Sequence, residues 1–215
     1  MWLPLAGLLV SNLVAQGDPR SRLAGRVPPA VAAAVSLLVD SARARGLPAG
    51  PLVDKALEGA VKGVGPDRIV PAVRGVFQQL DVAATALRPA GGPDPGGDAV
   101  EAGAFALDAG LTAGDIGDIA RAADRSHPTA VALQVAGVLA ALGVPRAETV
   151  GLVRATIQSG RPLGDLVSLP SQVQAAMAGG SPPAAAAAGL QRAAAAHQAP
   201  QPRGQGKGQG NPHKP

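Results

Sequence analysis

Residues 128–162 read PTAVALQVAGVLAALGVPRAETVGLVRATIQSGRP. Apolar side chains recur here at helical spacing. Val131, Val135, Val138, Leu139 and Leu142 mark one segment, and Val150, Val153 and Ile157 mark the next. The punctuation agrees with the periodicity. Pro128 and Pro145 open the two segments, where a missing backbone donor costs least. Gly143 and Gly160 close them, because glycine readily takes the left-handed conformation that ends a helix. The stretch therefore predicts two short helices joined by Gly143-Val144-Pro145. Gly160-Arg161-Pro162 then starts another unit.

The same signals run outward in both directions. Pro28 and Pro29 open a helix with Val31, Val35, Leu38 and Ala42 on one face, stopped at Gly46. Pro51 opens a second, with Leu52, Ala56, Leu57, Ala60 and Val61 expected inward and Gly63 as its stop. Pro66-Asp67 opens a third, reaching Leu87 through Ile69, Val70, Val73, Val76, Phe77, Leu80 and Ala84, with Pro71 near its first turn. Asp98 and Glu101 have capping-box spacing and open a fourth, to Ala109. Thr112 and Asp115 open a fifth, carrying Ile116, Ile119 and Ala123. Leu163 to Met177 gives an eighth, bent or split at Pro170. No segment alternates in the manner of a strand. The fold class is all-α, a series of short helices packed as helix-turn-helix pairs in an irregular bundle or short α-solenoid.

Gly46, Gly63, Gly110, Gly143 and Gly160 each precede a helix start by a few residues, with an apolar residue between in all but the last. The steps from 46 to 63 and from 143 to 160 are equal. Two readings fit: a degenerate helical repeat, or the ordinary way to join short helices. Neither the tetratricopeptide nor the ankyrin signature occurs.

The chain divides by composition. Residues 1–16 are expected to be a signal peptide. Trp2 to Ala15 is uncharged and mostly apolar, too short to span a bilayer comfortably, and is followed by the turn-rich Gln16-Gly17-Asp18-Pro19. No Lys or Arg precedes that run. The remaining expectations are a linker at 17–27, a three-helix subdomain at 28–88, and a linker at 89–97 (PAGGPDPGG). A subdomain of four to five helices follows at 98–178, then a low-complexity, mostly disordered tail at 179–215. Within that tail, Ala184 to His197 has helix-forming composition but offers only Leu190 as a large apolar anchor.

Of 215 residues, 29 are Gly and 21 are Pro. The hydrophobic share of 47% includes 46 alanines, and Trp2, Phe77 and Phe105 are the only aromatics. Base-stacking nucleic-acid platforms and aromatic-girdled barrels are excluded on that ground. Zero Cys excludes disulfides, thiolate metal sites and a thiol nucleophile. The net charge of +4 lies in the tail. Arg192, Arg203, Lys207 and Lys214 follow Asp165, the last acidic residue.

No constellation specifies chemistry, so no catalytic, cofactor-binding or metal-ligating residue is assigned. Of three His, His197 and His213 fall in the tail, where Gly204, Gly206, Gly208 and Gly210 lack the strand and helix that a phosphate loop requires. Ser126-His127, beside Asp124 and near Asp115 and Asp118, has the letters of a triad. A triad is assembled from separate elements, whereas Ser126 or His127 directly before Pro128 reads as a helix cap. Asp115 and Asp118 complement a helix dipole, and Glu58, Glu101 and Glu148 read as solvated faces.

The leader Trp2–Ala15 and the helix start Pro66-Asp67-Arg68-Ile69-Val70-Pro71-Ala72-Val73-Arg74 resemble those of exported Ala- and Pro-rich helical proteins of GC-rich bacteria. That resemblance implies no particular function. The residues point to an exported protein, periplasmic or secreted, without catalytic activity or cofactor. It would bind another protein or a cell-envelope component through shallow grooves between short helices. No specific nucleic acid and no membrane span in the mature chain are expected. The alternatives are a small-ligand binder or hydrolase whose polar groups converge only in the fold, and attraction of the basic tail to an anionic polymer.

Overall fold

The computed structural model describes residues 18–88 and 95–198. The expected leader, most of the 89–97 connector and residues 199–215 lie outside them. The described residues form ten α-helices and one short 3-10 turn, with no strand among them. The fold is all-α, as the periodicity indicates.

The connectors follow the glycine rule. Gly46, Gly63, Gly110, Gly143 and Gly160 all take positive φ, between 66° and 102°, and Gly25 and Gly180 join them. At four of the five, the next residue's N–H reaches back to a carbonyl in the last helical turn. Leu47 donates to Ala42, Val64 to Gly59, Leu111 to Ala106, and Val144 to Leu139. This motif satisfies carbonyls that the helix leaves without partners, and it turns the apolar residue inward. Leu47, Leu111 and Val144 are buried accordingly.

The described residues fall into two compact units, one up to Ala84 and one from Thr85. In the first unit, the turn Pro19–Arg22 lies against α1 (Pro29–Ala44) and α2 (Gly50–Val61), and α3 (Pro66–Leu87) begins here. The stretch expected as a linker at 17–27 contributes two residues to the core. Leu23 and Val27 are buried, and Arg20, Arg22 and Asp18 pair with Asp40, Asp54 and Arg43. Val31, Val35, Val39 and Ala42 form the buried face of α1, so Val39 replaces the expected Leu38. On α2 the buried residues are Leu52, Val53 and Ala56. Val61, expected inward, is 88% exposed. Pro71 sits in the second turn of α3. Arg45 pairs with Asp81 at 3.0 Å and lies 5.2 Å from the Phe77 ring centroid.

The second unit is built around α6 (Thr129–Ala141), which touches α4 (Gly97–Asp108), α5 (Ala113–Ala122), α7 (Arg146–Gln158), α8 (Leu163–Val167) and α9 (Leu169–Ala178). A helix surrounded this way must be apolar on nearly every side. Ala132, Leu133, Val135, Ala136, Gly137 and Leu139 are all buried. Small residues set its distance from α4. A Cβ on Gly137 would lie 2.5 Å from the Phe105 ring and 3.3 Å from the Ala106 Cα. The expected eighth helix is split at Ser168, with Pro170 in the first turn of α9, where its missing N–H matters least.

Two expectations need correction. Helix α4 is capped at Gly96 with no side-chain cap bond, so Asp98 and Glu101 do not form the inferred capping box. Within the expected tail, Pro183–Gln198 forms α10, packed on α7 and α9. Its anchors are Ala186, Ala187 and Ala194, which are buried, with Gly151 of α7 admitting the Gln191 side chain. An alanine-rich helix is marginal alone, and tertiary burial supplies what its sequence lacks.

Candidate functional site

Two places concentrate polar groups. The first lies in the second unit, where the letters Ser126, His127 and Asp124 fall. Helix α5 ends at Ala122 and the chain turns on Asp124. One carboxylate oxygen of Asp124 accepts the N–H of Ser126 at 2.7 Å and that of His127 at 2.8 Å. The same oxygen lies 3.2 Å from His127 Nδ1. His127 Nε2 lies 2.8 Å from the Arg161 carbonyl oxygen. The ring is 2% exposed. The Asp124 carboxyl is held below the ordinary carboxylate range, chiefly by the His127 backbone N–H.

This arrangement is a brace. It ties the α5–α6 loop to the α7–α8 connector, across 34 residues of sequence. His127 takes the place that Leu111 and Val144 occupy before other helices, tucked beneath the turn. Pro128 is itself the N-cap of α6, with Thr129 first in the helix, so neither Ser126 nor His127 is the cap. The group reaching His127 from a distant element is a backbone carbonyl. A hydrolytic arrangement would require a serine hydroxyl at the ring nitrogen that this carbonyl occupies.

The other acids near that loop are engaged in helix ends. Thr112 and Asp115 form the expected capping box, with Asp115 Oδ2 accepting from Thr112 N at 2.8 Å and from its hydroxyl at 2.6 Å. Asp115 also pairs with Arg146 at 3.2 Å. Asp118 pairs with Arg121 on the same helix. Glu148 lies in the first turn of α7, as the dipole favours. Among the described residues, no group of three or more His, Asp or Glu is placed to hold a metal ion. None of their helices is long and apolar enough to cross a membrane.

The second place is a groove in the first unit, about 250 Å³ in volume, between α2 and the start of α3. Gly63 stops α2 with φ +67°, and Gly65-Pro66 starts α3 on its return. The helices approach closely at Gly59, where a Cβ would lie 2.8 Å from Ile69 Cγ1. Gly59, Val64, Ile69 and Ala72 line the groove with apolar surface. Lys55, Glu58, Lys62 and Arg68 supply its charged groups. Glu58 accepts hydrogen bonds from both lysines, and they hold its carboxyl below the ordinary range, Lys62 most strongly. Arg68 has no ion-pair partner among the described residues.

Sequence reasoning missed this groove. Lys55, Glu58 and Lys62 fit an ordinary solvated helix face, and Arg68 belongs to the next helix. The available signal was the Gly59 and Gly63 pair, which permits close return of the chain. No protein-family model, curated protein or solved structure matches the chain.

Proposed function

We propose that this is an exported, non-catalytic helical protein that binds a partner protein through the α2–α3 groove of its first unit. The observation that carries the reading is the groove itself: an apolar floor where two helices approach at Gly59 and Ile69, open to solvent, with charged groups at its rim. Such concave surfaces between helices suit an extended peptide or a partner helix. Val61, 88% exposed at the end of α2, adds apolar surface in the neighbouring turn. Export is supported by the uncharged apolar run Trp2–Ala15 and the polar turn after it.

The test is photo-crosslinking in cells of the source organism. A benzophenone amino acid replaces Val61 in one variant and Leu37, an exposed apolar residue of α1, in another. A discrete adduct from position 61, identified by mass spectrometry and lost with excess unlabelled protein, is expected. Equal adducts from both positions, or none from position 61, overturn the reading.

A further inference from the structure

We infer that the α2–α3 groove selects an acidic segment, in which an apolar side chain sits on Ile69 and Val64 and flanking carboxylates face Lys62 and Arg68. This rests on the reading that the groove is the binding surface. The charge balance gives the class of occupant. Three cations and one carboxylate line the groove. Glu58 is shared between two ammonium groups, so the pair of lysines keeps a net positive charge. Arg68, without an ion-pair partner among the described residues, presents a planar fork whose donors match a carboxylate in two places at once. The nearest acids in sequence do not cancel it. Asp54 is engaged by Arg22. Asp67 folds back over Gly65, where an added Cβ would meet its Oδ1.

Size and shape narrow the class further. The volume of about 250 Å³ is below the roughly 300–1,000 Å³ of drug-sized pockets, and suits one or two side chains. An acidic lipid surface calls for a denser set, about 4–8 basic residues together. A phosphate backbone makes no use of an apolar floor. An acidic peptide with an apolar residue between carboxylates uses both parts of the groove.

The test is an amide NMR titration of the full ¹⁵N-labelled chain. The probe is the blocked peptide acetyl-Glu-Leu-Glu-amide, with acetyl-Lys-Leu-Lys-amide and acetyl-Glu-Ser-Glu-amide as controls. Saturable shifts at Gly59, Val64, Ile69 and Ala72 are expected with the first peptide, weakening as salt rises. Arg68→Glu and Lys62→Glu each weaken binding about tenfold or more. Arg68→Gln weakens it less. These positions are exposed, and an unchanged amide pattern away from the groove shows that each variant folds. The inference is overturned by equal response to the lysine peptide or by shifts outside the groove. It is also overturned by no response up to about 10 mM peptide, well above a millimolar Kd. Stronger shifts at the same amides with phosphatidylglycerol vesicles also overturn it, in favour of a lipid surface. Crosslinking from position 61 reads groove contact without regard to charge, so loss of acidic selectivity is distinguishable from loss of the binding reading.

Discussion

Gly137→Ala tests the packing of the second unit where it is tightest. Two effects oppose each other. Alanine is favoured over glycine inside a helix by about 1 kcal/mol. Against this, the new Cβ would sit 2.5 Å from two atoms of the Phe105 ring and 3.3 Å from the Ala106 Cα. The ring is 37% exposed and can turn away, but the backbone of α4 cannot yield without disturbing its neighbours. Overpacking of this kind costs about 1–3 kcal/mol. The net expectation is a loss of about 1 kcal/mol. Gly189→Ala supplies the control in the same unit, because α10 leaves open space around that glycine. It should gain about 0.5–1 kcal/mol. The two variants therefore differ by about 2 kcal/mol, or several degrees in Tm. Urea unfolding followed by circular dichroism measures both. Phe105→Ala should soften the effect of Gly137→Ala in a double-mutant cycle. Equal stabilisation by the two glycine substitutions would refute the close approach of α4 and α6.

Other consequences are open to direct measurement. Gly143→Ala forces a side chain into φ +84° and should cost about 1–2 kcal/mol in urea unfolding, with Asn tolerated better. Leu139→Ala, at a fully buried position of α6, should cost about 2–5 kcal/mol by the same assay. His127→Ala leaves the Arg161 carbonyl without its partner and opens a buried space. It should destabilise the second unit by about 2 kcal/mol and speed amide exchange in the α7–α8 connector. Asp18, Glu58 and Asp124 have carboxyl pKa values lowered by their hydrogen bonds in the folded chain. A lowered value contributes stability above the ordinary range that is lost as pH falls through it. Unfolding midpoints should therefore drop below about pH 4, and less steeply in Asp124→Asn.

How much of this was legible depends on the range of the interactions. The helix stops were legible because a left-handed residue is a local requirement, and glycine at 46, 63, 110, 143 and 160 answers it. The Thr112–Asp115 box was legible for the same reason. Val61 was misread because periodicity assigns a helix face and says nothing of what lies opposite. The apolar stripe of α2 runs on to its last residue, Val61, which no described residue covers. Helix α10 was assigned to the tail because alanine carries no pattern of large residues, and its stability depends on α7. The position of His127 before a helix was legible, but its tie to Arg161 joins residues 34 apart in sequence. The groove depends on Lys62 and Arg68 lining one surface from either side of a turn, which no single helix displays.

The proposed export is tested most directly by the intact mass of the chain in each compartment of a Gram-negative host. Loss of residues 1–15 or 1–16 from the periplasmic form is the expected result, with the remaining chain soluble there. A full-length product confined to the cytoplasm would contradict it. Trp2–Ala15 would then belong to the mature chain, and the search for a partner would move inside the cell.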